Sequence, residues 1–151
     1  MDTSHLDETG KARMVDVSEK QPTLRQARAE GFVHLSEKHL QAMEKHPKGD
    51  VLTLAQIAGI QAAKRTAEWI PLCHTISLDH IEIRFERENN GIRIESEARA
   101  NAKTGVEMEA LIAVSAAALT IYDMLKNVGH GIEIEKIRLL EKKGGKSDWK
   151  A

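Results

Sequence analysis

Asp123 and Lys126 stand three residues apart near the end of a long apolar run, a spacing that puts both side chains on one helical face. A carboxylate and an ammonium held together can move protons to and from a substrate. Withdrawal from water raises the acid's pKa and lowers the base's, while their mutual attraction opposes both shifts. Taken by itself, the pair reads first as a solvated ion bridge at a helix end. Glu107 and Glu109 open the same run. Carboxylates in a first turn complement the helix dipole, which accounts for one of them easily. Lys103-Thr104-Gly105 ahead of them makes an anion-tolerant helix entrance. It is not a P-loop, because the Gly-x-x-x-x-Gly-Lys-Ser/Thr spacing is absent.

Leu72-Cys73-His74 follows Pro71. Adjacent Cys and His rarely ligate one metal, and no Cys-x-x-Cys or His-x-x-x-His spacing supports them, so no metal site is expected. Nucleophilic Cys73 lacks a spacing signature too, and His74 reads better as a hydrogen-bond donor to phosphate or base. The basic residues lie apart in sequence: Lys48, Lys64-Arg65, Lys142-Lys143 and Lys146. Each alone is a solvated surface charge, whereas a polyphosphate needs several converging. The glycines of Lys143-Gly144-Gly145-Lys146 permit close backbone approach to a ligand.

The elements that must position these groups follow from patterning. Residues 1–13 read as a loose tail. Met14-Val15-Asp16-Val17 alternates and predicts a short strand. Arg25 to Leu35 continues as an extended stretch, its alternation blurred by alanines. Ser36 and Asp50 are N-cap candidates, the first for a helix through Lys45 with Leu40 and Met43 inward, the second for a helix to about Trp69, stopped by Pro71. The stretch from Ile76 to Glu88 contains the alternation Ile81, Ile83, Phe85, which predicts a strand, Asn89-Asn90-Gly91 a hairpin turn, and Ile92 and Ile94 its return. Val106 to Val128 predicts a long helix, apolar so nearly all round that another subunit is expected to cover part of it. Ile132 to Leu139 predicts a last strand with a phase slip at Glu135-Lys136 that reads as a bulge. Residues 142–151 form a basic Gly/Lys segment. The order strand, helix, strand, strand, helix, strand over residues 14–141 predicts one α+β domain of the ferredoxin-like, split βαβ plan, an antiparallel sheet with helices on one face.

Composition narrows the function class. The 151 residues carry a formal net charge of −1, so the molecule as a whole is not an electrostatic nucleic-acid binder. Phe32, Trp69, Phe85, Tyr122 and Trp149 are the only aromatics, too few for a base-stacking platform. The single cysteine, Cys73, excludes an intrachain disulfide and fits a reducing cytosol. No apolar run reads as long enough to cross a bilayer, and Met1 to Gly10 lacks a signal-peptide core, so a cytoplasmic protein without membrane partners is expected. From the residues alone the chain is an oligomeric domain with an anion site.

Longer strings go further. Met14-Val15-Asp16-Val17, Lys48-Gly49-Asp50-Val51, the run from Ala58 to Thr66, Ile70-Pro71-Leu72-Cys73-His74, the run from Lys103 to Leu111, the run from Ala118 to Met124 and Gly144-Gly145-Lys146-Ser147 resemble, in order, the molybdenum cofactor biosynthesis protein C family. Its members are cyclic pyranopterin monophosphate synthases. One departure is Thr75, where the family usually has proline. The resemblance implies a ferredoxin-like subunit in a hexamer, a trimer of dimers, with active sites at the dimer interface. It implies the substrate 3′,8-cyclo-7,8-dihydro-GTP, with cyclic pyranopterin monophosphate and diphosphate as products. By matching positions it implies Asp123 and Lys126 as the catalytic pair. Leu72, Cys73, His74, Met108 and Glu109 match substrate-contact segments, and Lys48, Glu107 and Lys142 match positions in or near the site. No redox-cofactor motif is present and no cofactor is expected. The alternative is a non-catalytic, nucleotide-binding regulatory module of the same fold.

Overall fold

A computed structural model describes residues 4–151. Among them, four helices pack with one open, five-stranded antiparallel sheet, an α+β architecture. The elements run β1 (Thr23–His34), α1 (Glu37–Glu44), α2 (Val51–Ala63), α3 (Thr66–Trp69), β2 (His80–Glu88), β3 (Gly91–Ala102), α4 (Glu107–Leu125), β4 (Glu133–Lys143) and β5 (Trp149–Lys150). Across the sheet the order is β2-β3-β1-β4-β5.

β1 lies between β3 and β4, and one of its phases is made of small residues: Ala27, Ala29, Gly31 and Val33 are all buried. Their size lets α4 approach the sheet, and a Cβ on Gly31 would collide with the Val114 side chain of α4. Ile92, Ile94, Ala98 and Ala100 of β3 continue the same buried layer, and Ser96 joins it by donating its hydroxyl to the Ala110 carbonyl at 2.7 Å. α2 packs on α4 through Gly59, where a Cβ would meet the Ala113 carbonyl and the Ile83 side chain. The opposite face of the sheet is laced with ion pairs: Arg28 to Glu95, and Arg93 and Arg138 to Glu30 at 3.3 and 2.8 Å.

Both expected caps form: Ser36 accepts from the His39 N–H and Asp50 from the Thr53 N–H. The two-residue turn Asn89-Asn90 joins β2 to β3, with Glu88 opposite Gly91. The expected slip in β4 is real, since the register with β1 shifts between Glu30 and Phe32 and Lys136 takes φ 55°.

Some expectations are corrected and others are made specific. Met14–Val17 is not a strand: Asp16 spends its carboxylate on the Ser18 N–H and hydroxyl, a local turn that competes with ladder pairing. The helix from Asp50 does not run to Trp69. It closes at Lys64-Arg65, where the Arg65 N–H bonds back three residues to Ala62 and the Thr66 hydroxyl takes the Ala63 carbonyl at 2.9 Å, before the short α3. The alternation Ile81, Ile83, Phe85 does form a strand, β2, which begins at His80. The basic C-terminal segment is a hairpin, in which Lys142 and Lys143 end β4, Gly144 and Gly145 turn at φ 92° and 76°, and β5 pairs back. Lastly, α4 is long and apolar enough to cross a membrane by length and composition, but half of that stretch is buried in the protein, the position of a core helix. Of the N-terminal tail, Met1–Thr3 lie outside the described residues, while Leu6 and Ala12 form a bridge around a turn held by the Asp7 carboxylate.

Candidate active site

The first turn of α4 faces a cavity of about 590 Å³, a size that holds a nucleotide. Val106, the N-cap, offers no side-chain cap, and the turn it opens, Glu107 to Glu109, lines the cavity. Thr104 and Gly105 enter the helix at the cavity wall, and the Glu107 carboxylate folds back over Gly105, where a Cβ would strike it. The loop after Pro71 brings Leu72, Cys73, His74 and Ile76 to a second wall. β1, β4 and the turn after β4 supply a third, through Arg25 and Gln26, through Lys142 and Lys143, and through Gly144, Lys146 and Ser147. The segment with Val15, Val17 and Lys20 lies across the front.

Seven of the ten residues singled out by sequence therefore line one cavity: Leu72, Cys73, His74, Glu107, Met108, Glu109 and Lys142. Lys142 Nζ stands 3.5 Å from Glu107 Oε1. Glu109 is only 3% exposed, and burial pushes its carboxyl up to about 7, against its own backbone N–H and with a smaller push from the Glu107 charge. A group poised there gives or takes a proton at neutral pH. The Cys73 thiol is pushed up by burial and then by the charges of Glu109 and Glu107, so it stays protonated, unlike an activated nucleophile. His74 Nε2 donates to the Val15 carbonyl at 2.6 Å and ties down the segment that crosses the cavity.

Asp123 and Lys126 stand elsewhere. Their ion pair forms at 2.7 Å, but both side chains are exposed. Attraction wins over desolvation here. The hydrogen bond and charge of Lys126 hold the Asp123 carboxyl down, with a smaller contribution from Lys48, and Asp123 holds Lys126 up. From Glu109 to Asp123 the helix climbs about 21 Å, at 1.5 Å per residue. Lys48, on the turn between α1 and α2, belongs with this far end, so the expected convergence of Lys48 with His74 and the C-terminal lysines does not occur within one chain.

Arg25 and Lys20 were not among the sequence candidates. Arg25 donates to the carbonyls of Ala102 and Lys103, both at 3.4 Å. Its signal was a charge in the inward phase of β1, shared with Ala27 and Ala29 but beyond the end of α4's cover. The glycine pair 144–145 makes its close approach to protein: Cβ atoms there would collide with the Leu24 carbonyl and the Arg25 guanidinium. Among the described residues no group of three or more His, Cys, Asp or Glu is arranged to hold a metal.

An open antiparallel sheet whose core helix brings its first turn to a cavity ringed by cations and two carboxylates defines an α+β protein with a charged, nucleotide-sized cavity. The model of the MoaC family matches residues 14–145, nearly the whole length, and the chain belongs to that family. Its role is accordingly enzymatic, in molybdenum cofactor biosynthesis.

Proposed function

We propose that the protein is a cyclic pyranopterin monophosphate synthase, a phosphorus-oxygen lyase. It converts (8S)-3′,8-cyclo-7,8-dihydroguanosine 5′-triphosphate to cyclic pyranopterin monophosphate and diphosphate. The observation that carries this reading is the cavity itself, where family-matched segments from four parts of the chain bring a neutral-pH carboxyl, Glu109, beside cations able to receive a polyphosphate. Arg25, His74, Lys142 and Lys146 offset the charge that develops as diphosphate leaves. Opening the cyclised purine and rebuilding a pterin needs several proton transfers, which Asp123 and Lys126 supply.

That pair lies too far from the cavity of its own chain, so each complete site takes Asp123, Lys126 and Lys48 from a neighbouring subunit. Their exposure, with that of Leu119 and Tyr122 on the same helix, supports an interface there. The assembly is a hexamer, a trimer of dimers, acting in the cytoplasm without a cofactor, nucleic acid or membrane partner. The strand order β2-β3-β1-β4 with α2 and α4 on one face supports the ferredoxin-like plan.

The exposure of Asp123 in the single chain is also what a non-catalytic regulatory module would rest on. Incubation with the cyclised GTP derivative, assayed for pterin and diphosphate, separates the two. The enzyme releases both, and the module releases neither. Asp123→Asn and Lys126→Ala should each abolish nearly all turnover, and the double variant should be little worse than either. Binding should fall much less than turnover in Asp123→Asn, since a lost carboxylate does not weaken attraction for a triphosphate. Substantial turnover by the folded Asp123→Asn protein would remove the pair from the mechanism.

A further inference from the structure

His39 is 2% exposed and lines no part of the cavity, yet both of its ring nitrogens are engaged. Nδ1 takes the Ser36 main-chain N–H at 3.2 Å and lies 2.7 Å from the Ser36 hydroxyl. Because Nδ1 accepts there, the proton sits on Nε2, which donates to the Gly129 carbonyl at 3.1 Å. The first nitrogen completes the capping box of α1, a task that glutamate or glutamine performs in most such boxes. The second reaches across to the turn that follows α4. Helix capping needs only the first, so the second arm calls for a reason of its own.

The two ends of that arm supply one. Gly129 lies three residues beyond Lys126, on a turn locked to the helix by the Lys126 N–H to Tyr122 and the Val128 N–H to Leu125. His39 lies on α1, and Lys48 lies on the turn that leads from α1 to α2. α1 otherwise barely touches α4. The connection that carries Lys48 starts from α1, and the Asp123–Lys126 pair stands at the end of α4, so the His39 arm ties the start of the one to the end of the other.

We infer that His39 is a positioning residue: its Nε2–H bond to the Gly129 carbonyl sets the α4 terminal turn, and with it Asp123 and Lys126, in register with the Lys48 turn. This rests on the proposed role of those three residues in turnover. Reacting groups misplaced by a fraction of a bond length lose rate far more than affinity, so the effect belongs in kcat.

Two substitutions divide the ring's tasks. Asparagine places a polar atom near the Nδ1 position and keeps the cap, but it is too short for Gly129. Glutamine places an amide nitrogen near the Nε2 position and keeps the reach. His39→Asn should lower kcat with the cyclised GTP derivative about tenfold or more and leave KM within about twofold. It should also speed amide hydrogen exchange over residues 126–132. His39→Gln should stay close to wild type in both measurements. A folded His39→Asn protein with wild-type kcat and wild-type exchange would overturn the inference, as would His39→Gln failing equally. If His39→Asn does not fold, Ser36→Ala serves instead. It weakens the cap and spares the Gly129 arm, so retained kcat is expected and a tenfold loss would assign His39 to capping alone. Asp123→Asn is measured alongside: turnover surviving there refutes the catalytic reading, whereas its loss beside an unaffected His39→Asn refutes only the positioning role.

Discussion

Glu109 is where one residue's surroundings most change its chemistry. Its carboxyl is raised from the ordinary range to about 7, so the folded protein holds a proton that the unfolded chain has released above about 4.5. Between those values the folded state binds more protons, and stability falls as pH rises. The contribution is fully present below the unfolded pKa and is lost as pH passes the folded one. A shift of this size corresponds to about 3 kcal/mol as an upper figure, at 1.36 kcal/mol per unit. Urea denaturation at pH 5 and pH 8 should show the decline in wild type. Glu109→Gln, which stays neutral at both, should show less of it; an identical decline in both proteins would place the titration elsewhere. Cys73 calls for the opposite expectation. Its thiol is held protonated by burial and by two carboxylates, so Cys73→Ser should keep most of the activity, and the purified protein should carry no stoichiometric zinc.

At the level of elements, the site depends on two contacts that periodicity does not reveal. α2 and α4 meet at Gly59, where a Cβ would meet the Ile83 side chain, which can turn aside, and also the main-chain carbonyl of Ala113, which cannot. Gly59→Ala gains helix propensity, yet it should lower stability by about 1–3 kcal/mol through overpacking, read as a drop in Tm. A rise in Tm would mean that the helices can separate at little expense. The segment across the cavity is the second case. His74 holds it through the Val15 carbonyl, Lys103 Nζ holds it through the Ser18 carbonyl at 3.3 Å, and Asp16 orders its own turn. Amide hydrogen exchange over residues 14–20 should quicken in His74→Ala while the β1–β3 ladder keeps its protection. Unchanged exchange would show that the Lys103 bond, the Asp16 turn and the valine side chains hold the segment without His74.

The whole molecule leaves apolar side chains on its helical face: Leu54 and Ile57 on α2, and Leu119 and Tyr122 on α4, the last two at helical spacing. Leu119 is 56% exposed immediately beside the Asp123–Lys126 pair. Under the proposed function the pair reaches a second subunit's cavity, and such a surface is where it would have to stand. Light scattering should find a stable oligomer at micromolar concentration, and Leu119→Arg should break it into smaller species and lose turnover together. An active monomer would contradict the shared site.

Much of this protein is decided by local chemistry and was legible as such. Ser36 and Asp50 cap their helices because a side-chain oxygen two or three residues from an unpaired N–H needs no tertiary partner. The β4 slip at Lys136 follows from a break in strict alternation, and the family is written in strings of consecutive residues. The candidate site was legible residue by residue but not as a place. Nothing in the spacing of Arg25, His74, Glu109 and Lys142 tells that one cavity gathers them, because antiparallel pairing of β1 with β4 joins positions more than a hundred residues apart. The apparent strand at Met14–Val17 failed because alternation makes a strand only with a partner strand, and here the Asp16 carboxylate closes a local turn on Ser18 instead. The Asp123–Lys126 pair shows the same division. Helical geometry alone dictates that the two touch. Only the tertiary structure sets them about 21 Å from Glu109, since the length of α4 separates what sequence motifs place in a single site.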